Sequence, residues 1–227
     1  MAEHGPVELT SADGTVFSAY RAEPAEPNGR NMVVLPDVRG LHPFYLALAE
    51  RFAEAGFRTV AIDYFGRTAG TGIRDDGFDW QQHVPQVRPG NVAADVAAAK
   101  ALLDGAGSAA PAFSVGFCFG GSHSWRLAAT DLGLAGSIGF YGKPAMIEDV
   151  LPDLNRPLLM LIAGADQATP QEEFQALDRR LTELGKEHDM HVYEGAPHSF
   201  FDRSFAQWQE ACADAWRRIL DFTARYG

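Results

Sequence analysis

Two cysteines in 227 residues, Cys118 and Cys212, are too few for a disulfide framework or a four-cysteine zinc site. Any chemistry at sulfur is therefore that of a single thiol. Long hydrophobic runs are missing as well: the apolar stretches are strand-sized, and none approaches the roughly 20 residues of a membrane-spanning helix. The opening MAEHGPVELT carries neither the basic nor the apolar region of a secretory signal, so a cytoplasmic protein is expected. Positive charge is scarce. Nineteen Lys and Arg against thirty Asp and Glu leave a net charge of −11, and the basic residues do not cluster, which argues against nucleic acid or an anionic membrane surface as a partner. The seven histidines form no H-E-x-x-H or comparable pattern, so no metal is expected. With no repeat, low-complexity tract or linker, one domain spanning 1–227 is expected.

What is present is the alternation of an α/β protein. VELTSADGTVFSAY has apolar alternation on both sides of Asp13-Gly14, a pair suited to a tight turn, and predicts an opening β-hairpin. Continuous apolar runs follow, separated by helical periodicity, as buried parallel strands with crossover helices require. Strands are predicted at about 31–35, 58–62, 112–116, 134–140, 157–163 and 190–194, and helices at about 43–55, 92–104, 120–130, 170–184 and 205–226. Residues 63–90 have weak periodicity and many turn formers, the mark of a functional loop or of short helices.

Within SVGFCFGGSHSW, residues 116–120 read G-x-C-x-G. An apolar strand enters the motif and an amphipathic helix leaves it, the context of a nucleophile elbow, but with Cys118 where serine usually stands. A helix N-terminus favours a thiolate, and sulfur is nucleophilic even when partly ionised. For Cys212, inside the amphipathic EACADAW, helix packing is the expected role.

A nucleophile needs a base, and in this fold class the chain order is nucleophile, acid, histidine. LLMLIAGADQATP ends a buried strand and delivers Asp166; VYEGAPHSFF ends the last strand and delivers His198. Both fall just past strand C-termini, the edge where open α/β sheets build their sites. His198 would take the thiol proton and Asp166 would fix its tautomer. The expected oxyanion donors are the backbone N–H groups of Phe119 and of Val38 in VVLPDVRGLHPF. The neighbouring Asp37 is either a carboxylate at the pocket edge or simply a turn residue.

On the G-x-C-x-G-G elbow at 116–121, Asp166, His198 in HSF, PDVRG and DYFGRTAG, the chain resembles the dienelactone hydrolase family over nearly its whole length. The resemblance implies an α/β-hydrolase fold, with a mostly parallel central sheet, an N-terminal hairpin, helices on both faces and no separate cap domain. It also implies cofactor-free hydrolysis of small enol lactones or activated esters through a cysteine thioester. Family members carry a glutamate in the position of Asp37 that holds the resting thiol and aids its deprotonation; here the side chain is one methylene shorter. They also bind a substrate carboxylate with arginines, for which Arg74 and Arg203 lie in comparable segments; Tyr141 is a further candidate substrate contact. A non-catalytic ligand-binding protein on the same fold, or a redox-sensing thiol at Cys118, remain open on the sequence.

Overall fold

The computed structural model describes residues 3–105 and 109–227, and the chain forms two compact units, Met1–Ser114 and Val115–Gly227. In the first unit the hairpin is present as β1 (His4–Thr10) and β2 (Val16–Ala22), paired antiparallel with Thr10 opposite Val16. Its turn uses Gly14 at φ 82°, a left-handed conformation in which a side chain is disfavoured. β1 alternates exposed and half-buried residues, whereas β2 is almost wholly buried. The reason is position: β1 is the edge, and β2 also pairs antiparallel with β4 (Arg58–Ile62). β4 in turn pairs parallel with β3 (Asn31–Leu35), giving the order β1-β2-β4-β3.

β3 and β4 coincide with the predicted strands at both ends, because every residue from Met32 to Leu35 and from Val60 to Ile62 is fully buried. Helix α1 (Pro43–Glu54) starts with Pro43, whose missing N–H costs nothing in the first turn, while the His42 ring accepts from the Phe44 N–H at 3.3 Å. It buries Tyr45, Leu48, Ala49 and Phe52 and packs on β4. The 63–90 loop holds two short helices, α2 (Gly66–Ala69) and α3 (Trp80–His83), before α4 (Pro89–Asp104). Arg67 on α2 ties this region together, reaching Asp13 and Ser11 of the hairpin turn and forking onto the buried Asp95 of α4 at 2.8 and 2.9 Å.

β5 (Ala112–Phe117) leads into the second unit, where the strand order is β5-β6-β7-β8 with β6 (Gly136–Phe140), β7 (Leu158–Ala163) and β8 (His188–Tyr193) parallel. Its helices are α5 (Phe119–Leu127), α6 (Gln171–Glu183) and α7 (Gln209–Tyr226). Several boundaries differ from expectation, α4 beginning at Pro89 rather than 92 and α5 ending at Leu127 rather than 130 among them. β6 begins at Gly136 rather than 134, and β8 begins at His188 because the polar pair His188-Asp189 still completes the ladder opposite Leu158 and Leu159. Helix α7 begins at Gln209 rather than 205, since Phe205–Gln207 forms a separate 3-10 turn.

Trp125 is fully buried in a core cluster with Ile147, Leu158, Met160, Phe174 and Leu181, its indole N–H donating to the Leu159 carbonyl at 3.3 Å. On α6, Phe174, Leu177 and Leu181 fall on one helical face and are the residues it buries. No helix among the described residues is long and apolar enough to cross a membrane.

Candidate active site

The elbow follows from close packing of backbone on backbone. A Cβ placed on Gly116 would lie 1.9 Å from the Gly120 carbonyl oxygen, and one on Gly121 would lie 2.4 Å from that of Phe140. Only glycine allows α5 to start this close to β5 and β6. Between these glycines Cys118 is held at φ 55°, ψ −113°, and its N–H donates to the Phe140 carbonyl at 3.0 Å. A side chain in that region is strained, and the strain turns the sulfur out of the strand ahead of the helix N-terminus. Cys118 is half-buried.

Asp166 and His198 meet because the ends of β7 and β8 remain zipped beyond the strands. Gly164 N–H donates to the Tyr193 carbonyl and Ala165 N–H to that of Ala196, both at 2.9 Å. A Cβ on Gly164 would fall 2.7 Å from the Tyr193 oxygen, so this approach also requires glycine. Across the zipped loops His198 Nδ1 lies 2.6 Å from Asp166 Oδ2. The Asp166 side chain has no exposure, and its other oxygen accepts the Ala168 N–H at 2.8 Å. Since an ionised carboxylate only accepts, Nδ1 carries the proton of this hydrogen bond, leaving Nε2 for a second partner.

Cys118 is close enough to His198 to shift its titration. Burial opposes charge on the imidazole, but the hydrogen bond to Asp166 and the proximity of Cys118 outweigh it and raise the His198 pKa to about 9. The imidazolium is thus favoured at neutral pH. Three non-glycine residues among those described have positive φ: Cys118, Tyr141 and Ser199. One is the elbow itself, one follows His198 directly, and the third places its ring 4.8 Å from that of His198. Backbone strain is therefore concentrated around this group of side chains.

Cys118, Asp166, His198, Phe119 and Tyr141 all lie in the second unit. Phe119 is the first residue of α5, directly after the elbow. Tyr141 is 2% exposed. Arg203 is exposed, in the turns after His198. Cys212 is buried in α7 as expected, its thiol against the Phe200 carbonyl and its pKa pushed up to about 11 by burial. His123 on α5 is buried too, and desolvation followed by the charge of Arg126 lowers its pKa to about 4, which keeps it neutral.

Asp37, Val38 and Arg74 belong to the first unit. Val38 is half-buried in the loop after β3. Asp37 acts as the turn residue its sequence context allows: Oδ1 accepts the Arg39 N–H at 2.9 Å. Both its oxygens also accept from the Arg39 guanidinium at 2.8–3.0 Å, a pairing the sequence did not signal. Arg74 is buried, its guanidinium donating to Asp63 at 2.7 Å and to the Gly70 carbonyl at 2.5 Å. A substrate carboxylate would have to compete with both. Among the described residues no group of three or more His, Cys, Asp or Glu is arranged to hold a metal ion.

The dienelactone hydrolase family model matches residues 17–227. A Methylorubrum extorquens protein, named as a candidate carboxymethylenebutenolidase, is 30% identical over 98% of this chain and 81% of its own length. The crystal structure of a candidate dienelactone hydrolase from Klebsiella pneumoniae superposes with a TM-score of 0.85 at 26% identity, over 99% of this chain and all of that one. An esterase from Pyrococcus furiosus shares the fold, with a TM-score of 0.69 at 16% identity over 100% of this chain and 92% of that one. The chain belongs to the dienelactone hydrolase family and is a carboxylic ester hydrolase on the α/β-hydrolase fold.

Proposed function

We propose that the protein hydrolyses small enol lactones and similarly activated esters through a thioester on Cys118. The observation that carries this reading is the Asp166–His198 hydrogen bond with Cys118 near the imidazole, its sulfur on a strained elbow. The sulfur attacks the substrate carbonyl carbon as the thiolate, its proton already resting on His198 Nε2 in the imidazolium. The raised His198 pKa stabilises the imidazolium so formed, and Asp166 keeps Nδ1–H in place. The Phe119 N–H, at the start of α5, is the donor offered to the developing oxyanion.

Collapse of the tetrahedral adduct breaks the carbon–oxygen bond, and the leaving enolate takes the proton from Nε2. Water then attacks the thioester carbonyl, gives its proton to Nε2, and the second adduct expels the sulfur as the thiolate beside the restored imidazolium. The products are the carboxylic acid and the enol, and the enol converts to its ketone, which prevents ring closure. Sulfur favours such substrates because an adduct expels its better leaving group. A thiolate leaves more readily than an ordinary alkoxide, so an unactivated ester would revert; an enolate leaves readily enough to go forward.

The test is trapping. Mixing the protein with a chromogenic aryl ester and quenching in acid is expected to give a burst of phenol together with an acyl mass increment on the peptide containing Cys118. Hydrolysis that persists after Cys118 is alkylated, with no acylated peptide, overturns the reading. A panel of enol lactones and plain alkyl esters then tests the substrate class, with turnover expected for the first and little for the second.

A further inference from the structure

One hydrogen bond fixes a point on an imidazole and leaves its plane free to swing. Asp166 holds His198 Nδ1 at 2.6 Å, yet the ring could still rotate about that contact and carry Nε2 away from the sulfur. What stands against the ring is Tyr141, its centroid 4.8 Å away and its plane inclined by 55°.

Tyr141 is itself held in a conformation that a residue bearing a Cβ adopts only when its surroundings dictate it, at φ 36°. Those surroundings are explicit. The Tyr141 N–H donates to the Leu161 carbonyl of β7 at 2.9 Å. The preceding carbonyl, of Phe140, accepts the Cys118 N–H at 3.0 Å. Two residues on, the Lys143 N–H donates to the Ser122 hydroxyl of α5 at 2.7 Å, and a Cβ on the intervening Gly142 would fall 2.7 Å from the Ser122 nitrogen. The strained turn after β6 is thus fastened to the nucleophile's own helix on one side and to β7 on the other.

We propose that Tyr141 is a positioning residue for His198, its ring setting the imidazole plane in which Nε2 faces Cys118. The inference rests on the triad reading above and adds to it: the frame that fixes the sulfur also fixes the surface against which the base is aligned. It is the aromatic face that sets this plane.

Tyr141→Leu removes that face, and Tyr141→Phe keeps it. In Tyr141→Leu, kcat for an aryl ester is expected to fall about 10- to 100-fold with KM little changed, as displacement of a reacting group implies. The iodoacetamide reaction of Cys118 is expected to slow and its pH dependence to move, while the melting temperature holds and the downfield proton resonance of the His198–Asp166 bond persists. Tyr141→Phe is expected to restore most of the rate. Wild-type turnover and labelling in Tyr141→Leu would overturn the proposal, as would a Tyr141→Phe variant as impaired as Tyr141→Leu. Should Tyr141→Leu fail to fold, Ser122→Ala loosens the same turn without touching either ring; a lowered kcat with the same altered labelling profile is expected, and unchanged values overturn the proposal. A wild type with neither ester turnover nor a reactive Cys118 defeats the triad reading itself, an outcome distinct from an active wild type indifferent to position 141.

Discussion

His198 and Asp166 share a 2.6 Å hydrogen bond although they come from different loops, because the backbones that carry them stay paired past the ends of β7 and β8. The carboxylate is fully buried and cannot be replaced by water in that geometry. Asp166→Asn would present an amide donor to Nδ1 and favour the wrong tautomer. We expect kcat for an activated ester to fall by about 10²- to 10⁴-fold with KM little changed. Steady-state kinetics on the purified variant check this.

The raised pKa of His198 carries a pH-dependent contribution to stability. An imidazole with an ordinary pKa of 6.5 in the unfolded chain and about 9 in the folded one favours folding fully below pH 6.5 and loses that contribution as pH rises through about 9. The gap in melting temperature between the wild type and His198→Gln is expected to be wide at pH 6 and to close by pH 10. A gap that widens with pH would mean that the imidazole is held neutral.

The two thiols should behave differently toward iodoacetamide at neutral pH. Cys118 is half-buried on the elbow beside His198, whereas Cys212 is 3% exposed with its pKa at about 11. Peptide mass mapping is expected to find Cys118 labelled first, with ester hydrolysis lost in parallel. Cys118→Ala, His198→Ala and the double variant should lose similar activity, because members of such a set act as a unit.

Gly116→Ala would bring a methyl group 1.9 Å from the Gly120 carbonyl oxygen, a contact that only backbone movement relieves. Overpacking of this kind costs about 3 kcal/mol, which for a chain of this size lowers the melting temperature by roughly 6–12 °C. Calorimetry measures the shift. Gly133→Ala tests positive φ without a clash, since nothing lies within 4 Å of its added methyl; a smaller loss is expected there.

Much of the fold was legible because burial writes itself as uninterrupted apolar runs: β3 and β4 stand where such runs begin and end. β8 was displaced by two residues since backbone pairing alone, opposite Leu158 and Leu159, carries His188 and Asp189 into the sheet. The residues Cys118, Asp166 and His198 could be picked out because each follows a recognisable strand in a fixed chain order. Tyr141 could be named but not given its place, for its contact with His198 depends on a positive φ that no local pattern announces. Arg39 was missed altogether; a basic residue two positions from an aspartate is common, and only the folded turn brings its guanidinium onto both oxygens of Asp37.

The buried carboxylate of Asp63 receives the N–H groups of Leu41 and Phe65 as well as the Arg74 guanidinium. Burial raises its pKa, against the pull of those three donors, so its charge is worth retaining only while they stay in place. The first part of a long segment of weak periodicity is consequently moored here as well as through Arg67. Beyond that mooring the loop is open to variation: its outer positions can be randomised in a library without disturbing the strands beneath, provided Asp63 and Arg74 are kept together. A search for altered substrate preference in this protein would do well to leave those two codons fixed and diversify the stretch that follows them.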